Sequence, residues 1–390
     1  MKKLLTFLFF VLFFKQAAVS VNQIQSLSPD ARISMLTASP GPALYSAFGH
    51  SAMRVTDPFT GLDEVYNFGT FDFDTPNFYI KFLQGRLLYK LTVGSFNQFF
   101  FEYHSEGRGV VEQVLNLNQE EKQRIFEFLQ FNRLPENAYY RYDFFFDNCA
   151  TRIRDIVQNK LTPVWPDDPT PPDMTFRQLL VPYILHIPWI RAGIDLILGL
   201  PSDRKATPWE YMYLPDHMYY AFKHASLPDG RPLVVDSEQI IEQVYFPTRT
   251  GFLSPGVAGW ILFVIGLFLL TKPRIARIFD RFFFSILGIA GIIIAFMWFI
   301  SEHAPADFNL NLLWTFPAHL YFIFRSDLSK PKVLTQIYFV LVFLIGFCFV
   351  AGWLFFPQQL NAAFLPLILY SAIKGGVYGF GRVLPKRIQP

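Results

Sequence analysis

Hydrophobic positions fall into two regimes along the chain. Up to residue 250 they alternate with polar residues or recur at helical spacing; beyond Gly251 they run in apolar blocks near 253–271, 282–300, 308–324, 335–356 and 359–373. The first, second and fourth blocks are long enough for a helix to cross ~30 Å of hydrocarbon. Pro317 and His319 interrupt the third block, and the fifth is short. A separate apolar run, Leu4 to Phe14, follows Lys2 and Lys3 and precedes Ala17, Ala18 and Ser20. That order predicts a secretory signal over residues 1–20. Lys15 falls awkwardly after the run, so an uncleaved anchor also fits; in either case the next segment is exported.

Within the first regime, His50 to Val55 and Glu64 to Phe68 read as the two strands of a hairpin turning through Asp57-Pro-Phe-Thr-Gly61. Further strands are expected at 87–94 and 109–117. Asn118 with Glu121 three residues on has capping-box spacing, and Ile125, Phe128 and Leu129 supply an apolar stripe for the helix it opens. Asp147 and Asn148 precede a second helix from Cys149 to about Val157. The proline-rich stretch 162–172 reads as a linker or wrapping loop. Residues 183–200 are apolar but carry His186, Arg191 and Asp195, which fits a helix resting on the bilayer or one in a protein core.

Composition sharpens this division. At 390 residues, 52% hydrophobic, 17% charged and with 46 Phe, the chain is no coiled coil, collagen-like repeat or disordered polymer. Its net charge of +3 hides an uneven distribution: −7 over residues 21–250 against +7 over 251–390. The eleven Lys and Arg of the tail lie in or beyond alternate loops, at 272–281, 325–332 and 374–387, and the loops 301–307 and 357–358 have none. This positive-inside pattern predicts five spans, a cytoplasmic C-terminus and residues 21–250 outside the inner membrane. The total charge therefore points to neither a nucleic acid nor an acidic partner.

Cys149 and Cys348 cannot form a disulfide framework. Cys348 sits among apolar residues of the fourth block and reads as a small lipid-phase residue. Cys149 reads either as an inert buried thiol or as a nucleophile. At a helix N-terminus, unpaired N–H groups and the dipole stabilise a thiolate and a developing oxyanion. A nucleophilic cysteine also needs an imidazole. His50, directly after Gly49 at the start of a strand, is the best candidate, with His104, His217 and His224 as others. If the hairpin closes around Phe59, Asn67 or Phe68 lies across from His50, and Asn67 could orient the ring or simply serve the turn or sheet edge. Tyr45 is a candidate oxyanion donor, and Arg54 a contact for a phosphate headgroup or for a surface acid. Asn309, Asn311, Trp314, Pro317 and His319 either line a cavity at membrane depth or mark a kinked helix end, and Glu302 and His303 are expected beneath the exported domain. No Cys/His cluster suggests zinc and no glycine-rich loop suggests a nucleotide, so no metal or cofactor is expected.

Gly49-His50-Ser51-Ala52 on a strand and Asp147-Asn148-Cys149-Ala150-Thr151-Arg152 on a helix about 100 residues later, with Tyr66-Asn-Phe-Gly69 between and apolar blocks after, resemble the lipoprotein N-acyltransferase family of Bacteroidetes (Lnb). The resemblance covers nearly the whole chain. It implies an α+β exported domain similar to circularly permuted papain-like enzymes such as lecithin–retinol acyltransferase, in which the His strand precedes the Cys helix. The expected organisation is a signal over 1–20, a periplasmic catalytic domain over 21–250 and an all-α transmembrane region over 251–390. The activity implied is transfer of an acyl chain from a membrane glycerophospholipid to the α-amino group of a diacylglyceryl lipoprotein, with Cys149 as nucleophile and His50 as base. A papain-like hydrolase (amidase, peptidase or phospholipase) and a non-catalytic membrane-anchored assembly module are the rival readings.

Overall fold

A computed structural model describes residues 25–244, 251, 253–329 and 331–381. The expected signal at 1–20 lies outside the described residues. Seven antiparallel strands form one sheet in the order β6-β4-β3-β2-β1-β5-β7. They are β1 (Arg32–Ala38), β2 (His50–Asp57), β3 (Leu62–Thr70), β4 (Leu88–Ser95), β5 (Val110–Leu115), β6 (Tyr139–Arg141) and β7 (Val234–Ile241). The helices interspersed with them are α1 (Phe78–Leu83), α2 (Phe96–Ser105), α3 (Gln119–Asn132), α4 (Cys149–Leu161), α5 (Phe176–Ile184), α6 (Pro188–Ile197), α7 (Pro208–Tyr211) and α8 (Pro215–His224).

Both faces of the sheet are covered. On one, Met53 and Val55 of β2 and Tyr66 and Phe68 of β3 meet Ile125, Phe126 and Leu129 of α3 and Ile153, Ile156 and Val157 of α4. On the other, Leu36, Ala52 and Val65 meet Phe99 and Tyr103 of α2. Each large apolar side chain so buried stabilises the fold by roughly 1.5–3 kcal/mol relative to exposure. The hairpin, the strands near 87–94 and 109–117 and the two helices form where the pattern puts them, and Asn118 and Glu121 make the reciprocal capping box. β1 escapes such a reading because it is central: Ile33 and Met35 enter one core while Leu36 and Ala38 enter the other, which erases the polar alternation.

The apolar stretch 183–200 is two helices rather than one. α5 ends at Ile184, and α6 restarts at Pro188, with Pro in its first turn. Asp195 is buried, close to the guanidinium of Arg177 at 3.5 Å and accepting from Asn361 Nδ2 at 2.7 Å. Trp189 Nε1 donates to the Leu253 carbonyl at 2.8 Å. α6 therefore joins the sheet domain to the tail, and its acid is a core residue, not a water-facing one.

The tail contains α9 (Pro255–Leu269), α10 (Pro273–Phe299), α11 (Asn311–Trp314), α12 (Ala318–Arg325), α13 (Val333–Ala351) and, after a 3-10 turn at Ala362–Phe364, α14 (Leu365–Phe380). Three of the described helices are long and apolar enough to cross a membrane: Pro273–Phe299, Val333–Ala351 and Ala362–Phe380; α9 is shorter. Ile286, Ile289, Ile293, Leu341, Leu344 and Phe347 lie exposed along α10 and α13. The third block is no continuous helix. It breaks between Trp314 and Ala318, beside Pro317, and the break presses onto α10, where a methyl group on Gly291 would lie 1.9 Å from the Thr315 carbonyl oxygen.

Four charged residues differ from the loop reading. Arg274, Arg277 and Arg281 belong to the first turns of α10. Lys374 lies buried within α14, its Nζ 2.7 Å from an Asp280 carboxylate that also accepts from the Tyr370 hydroxyl at 2.6 Å and from Tyr378. A buried ammonium is tolerated only with such a partner, so Lys374 serves helix packing.

Candidate active site

The site begins where two strands part. β2 pairs with β3 between Met53–Tyr66 and Asp57–Leu62. Beyond that point His50, Ser51 and Ala52 remain paired with Ala38, Thr37 and Leu36 of β1. β3 meanwhile shifts register against β4 between Asn67 and Thr70. The N-terminal end of α4 packs against β2 and β3, placing Cys149 beside the freed ends of both strands.

Asn148 fixes that helix end. Its Oδ1 accepts from the N–H groups of Ala150 at 2.8 Å and Thr151 at 2.9 Å, and Thr151 Oγ1 accepts from the Asn148 N–H at 2.7 Å. The Asn148 amide nitrogen donates to the carbonyls of Phe144 and Tyr213, both at 2.8 Å. Among the described residues, the Cys149 N–H has no hydrogen-bond partner. The first turn thus keeps one donor free beside the thiol, where the helix dipole favours negative charge.

His50 and Asn67 complete the cluster. His50 Nε2 lies 2.5 Å from Asn67 Oδ1. The amide oxygen accepts, which sets the ring proton on Nε2 and leaves Nδ1 for the thiol. The imidazole interacts electrostatically with Cys149 and stacks near the Tyr103 ring, 6.4 Å between centroids and 17° from parallel. Burial alone would lower the His50 pKa, but the Cys149 charge, its hydrogen bond and the Asn67 bond together raise it above the ordinary value. For Cys149 burial would raise the pKa; the His50 charge and hydrogen bond, with the Ser51 and Ala150 N–H groups, bring it below that of a free thiol. Opposite shifts on two touching groups favour a thiolate–imidazolium pair, the arrangement an activated sulfur nucleophile requires.

The other candidates lie apart from this pair. Tyr45 stands 69% exposed on the 3-10 turn Leu44–Ser46, with no hydrogen bond to His50 or Cys149. His104 stacks on Phe100, His217 meets the Tyr211 ring edge-on, and His224 Nδ1 is 2.8 Å from the Tyr220 carbonyl. Arg54 is engaged within the domain: Asp63 and Glu112 hold it at 2.8 and 3.0 Å, and its guanidinium lies 3.4 Å above the Phe96 ring. In the tail, Asn309 donates to the Leu196 and Ile197 carbonyls at 2.8 Å, and Asn311 to Leu196 at 3.2 Å, so these amides cap the end of α6. His319 Nε2 is 3.1 Å from the Trp314 carbonyl, across the kink.

The loop 301–307 does meet the sheet domain. Glu302 bridges Arg86 at 2.7 Å and Arg141 at 2.5 Å, and His303 Nε2 donates to the Phe82 carbonyl at 2.9 Å. The surroundings of the thiol were not legible as functional: Ser51 of β2, Tyr140 of β6 and Tyr142 just beyond it lie around Cys149. The only sequence trace of the last two is an aromatic run from Tyr139 to Phe146, indistinguishable from core.

Residues 21–180 match the family model described as the Lnb N-terminal periplasmic domain, and residues 247–381 match that described as the Lnb transmembrane domain. No curated protein and no solved structure matches the chain. With both domains of one family present in order over most of its length, the chain belongs to the Lnb family.

Proposed function

We propose that the protein is a lipoprotein N-acyltransferase that moves an acyl chain from a membrane glycerophospholipid to the free α-amino group of a diacylglyceryl-cysteine lipoprotein. The observation that carries this reading is the Cys149–His50–Asn67 cluster, with a buried Cys149 at the N-terminus of α4, in a domain joined to apolar helices. The order of His strand before Cys helix supports a permuted papain-like relationship for the sheet domain.

In the first half-reaction the Cys149 thiolate attacks the donor ester carbonyl. The Cys149 N–H faces the oxyanion, the C–O bond breaks, and His50 gives its proton to the departing lysophospholipid alkoxide. In the second, the lipoprotein amine attacks the thioester and passes a proton to His50; the amide forms and the thiolate is restored. Asn67 holds the ring through both steps. Two embedded substrates require a site at the membrane surface, and apolar surroundings favour aminolysis over hydrolysis.

The same reading sets the domain at the periplasmic face of the inner membrane, with α9, α10, the α11–α12 pair, α13 and α14 as five passes and the C-terminus in the cytoplasm. Incubating the full-length protein with a phospholipid carrying a labelled acyl chain tests the chemistry. A hydroxylamine-labile label on the protein, absent from Cys149→Ala and chased onto a lipopeptide amine, is the expected result. Release of the label only as free fatty acid would favour a hydrolase, and no labelling would favour an assembly module.

A further inference from the structure

Tyr140 carries a buried polar group that the mechanism leaves unused. It is the middle residue of β6, paired with Tyr89 of β4, and only 7% exposed. Its hydroxyl is fully enclosed yet has no hydrogen-bond partner among the described residues. The ring is held firmly. The Arg152 guanidinium lies 3.9 Å above it, itself gripped by both carboxylate oxygens of Asp147 at 2.5 and 2.7 Å, and Phe68 meets it edge-on. A rigid, desolvated hydroxyl without a partner is unfavourable in the free protein unless something binds it.

Gly69 lies between that hydroxyl and Cys149. A methyl group added there would lie 3.8 Å from Cys149 Cβ, 3.8 Å from Tyr140 Oη and 3.7 Å from a Tyr142 ring carbon. Room for one methyl-sized group therefore lies at Gly69, bordered by the Cys149 side chain and by the orphan hydroxyl. The φ of +91° at Gly69 disfavours any side chain that would fill it. Other donors nearby are committed: Asn148 takes the Ala150 and Thr151 N–H groups, and the Ser51 N–H is directed at the sulfur.

We propose that the Tyr140 hydroxyl, with the Cys149 N–H, forms the oxyanion hole that binds the carbonyl oxygen of the acyl group under attack. The proposal rests on Cys149 being an acyl-accepting nucleophile. Negative charge develops on that oxygen as the S–C bond forms; Tyr140 donates its hydrogen bond without giving up the proton, and the bond relaxes when the leaving group departs. Burial first, and then the thiolate charge, hold the phenol protonated well above its ordinary range, as a donor must be.

Tyr140→Phe in the full-length protein separates this role from a structural one. Acyl-enzyme formation from a phospholipid with a fluorescent acyl chain should fall about a hundredfold, the usual effect of losing one oxyanion donor. Alkylation of Cys149 by iodoacetamide, which generates no oxyanion, should keep its rate and pH midpoint, and Tm should not fall because no protein partner is lost. 3-Fluorotyrosine at position 140 keeps the shape and the donor and should retain acylation. Wild-type acylation in Tyr140→Phe, or an equal loss of acylation and alkylation, would overturn the assignment while Cys149→Ala remains inactive. Normal acylation in Cys149→Ala would instead defeat the functional reading beneath it.

Discussion

Asn67, His50 and Cys149 define the account at the residue scale, because each changes the charge state of the next. With the imidazolium beside it the thiol ionises below its ordinary range; without it, only the Ser51 and Ala150 N–H groups oppose burial. His50→Ala should therefore move the midpoint of iodoacetamide alkylation upward, past the ~8.5 of a free thiol, and slow the reaction at neutral pH. The raised His50 pKa and lowered Cys149 pKa also predict a bell-shaped rate profile. Activity falls on the acid side as the thiolate is protonated and on the alkaline side as the imidazolium is lost, both midpoints belonging to the coupled pair. Asn67→Ala removes one orienting hydrogen bond and should lower turnover by about tenfold, as expected for a loss of ~1.4 kcal/mol, with little change in Tm. These three residues stand out in the sequence because a helix cap, a Gly-His strand start and a hairpin register are local signals. Tyr140 does not, since nothing near it in the chain marks an unpaired hydroxyl, and Gly69 shows only as the end of Tyr66-Asn-Phe-Gly69.

Among the elements, α4 carries the nucleophile and depends on its cap. Asn148 satisfies two N–H groups of its own helix and two carbonyls elsewhere. Asn148→Ala should destabilise the domain by about 2 kcal/mol or more, lowering Tm by roughly 4–8 °C; Asp restores the acceptor but not the donors and should recover only part of the loss. In the tail, Asp280 ties α10 to α14 through Lys374, Tyr370 and Tyr378. Asp280→Ala strands a buried ammonium, at a cost of about 3–5 kcal/mol, and should sharply reduce folded protein. Adding Lys374→Met should recover much of it, which a double-mutant cycle would measure as a coupling energy. Elements with one exposed face were readable from periodicity; β1, covered on both faces, and the broken third block, shaped by α10 and α6, take their form from neighbours distant in sequence.

For the whole molecule, the charge difference of −7 against +7 and the change in hydrophobic texture divide the chain where the structure passes from sheet to apolar helices. What the sequence leaves open is how the halves meet. That is decided by long-range contacts: Trp189 with Leu253, Asp195 with Asn361, and Glu302 with Arg86 and Arg141. Arg141 adjoins Tyr140, so the loop 301–307 also braces the strand that borders the thiol. A sheet domain tied at several points to apolar helices suits the proposed substrates, which never leave the bilayer. The most direct test is mass spectrometry of lipoprotein N-termini from a host lacking its own N-acyltransferase and expressing this chain. Wild-type protein should yield N-acylated, triacylated lipoprotein, while Cys149→Ala and His50→Ala, present at equal levels, should leave the diacyl form with a free amine. Triacylated product from either variant at the wild-type level would contradict the account.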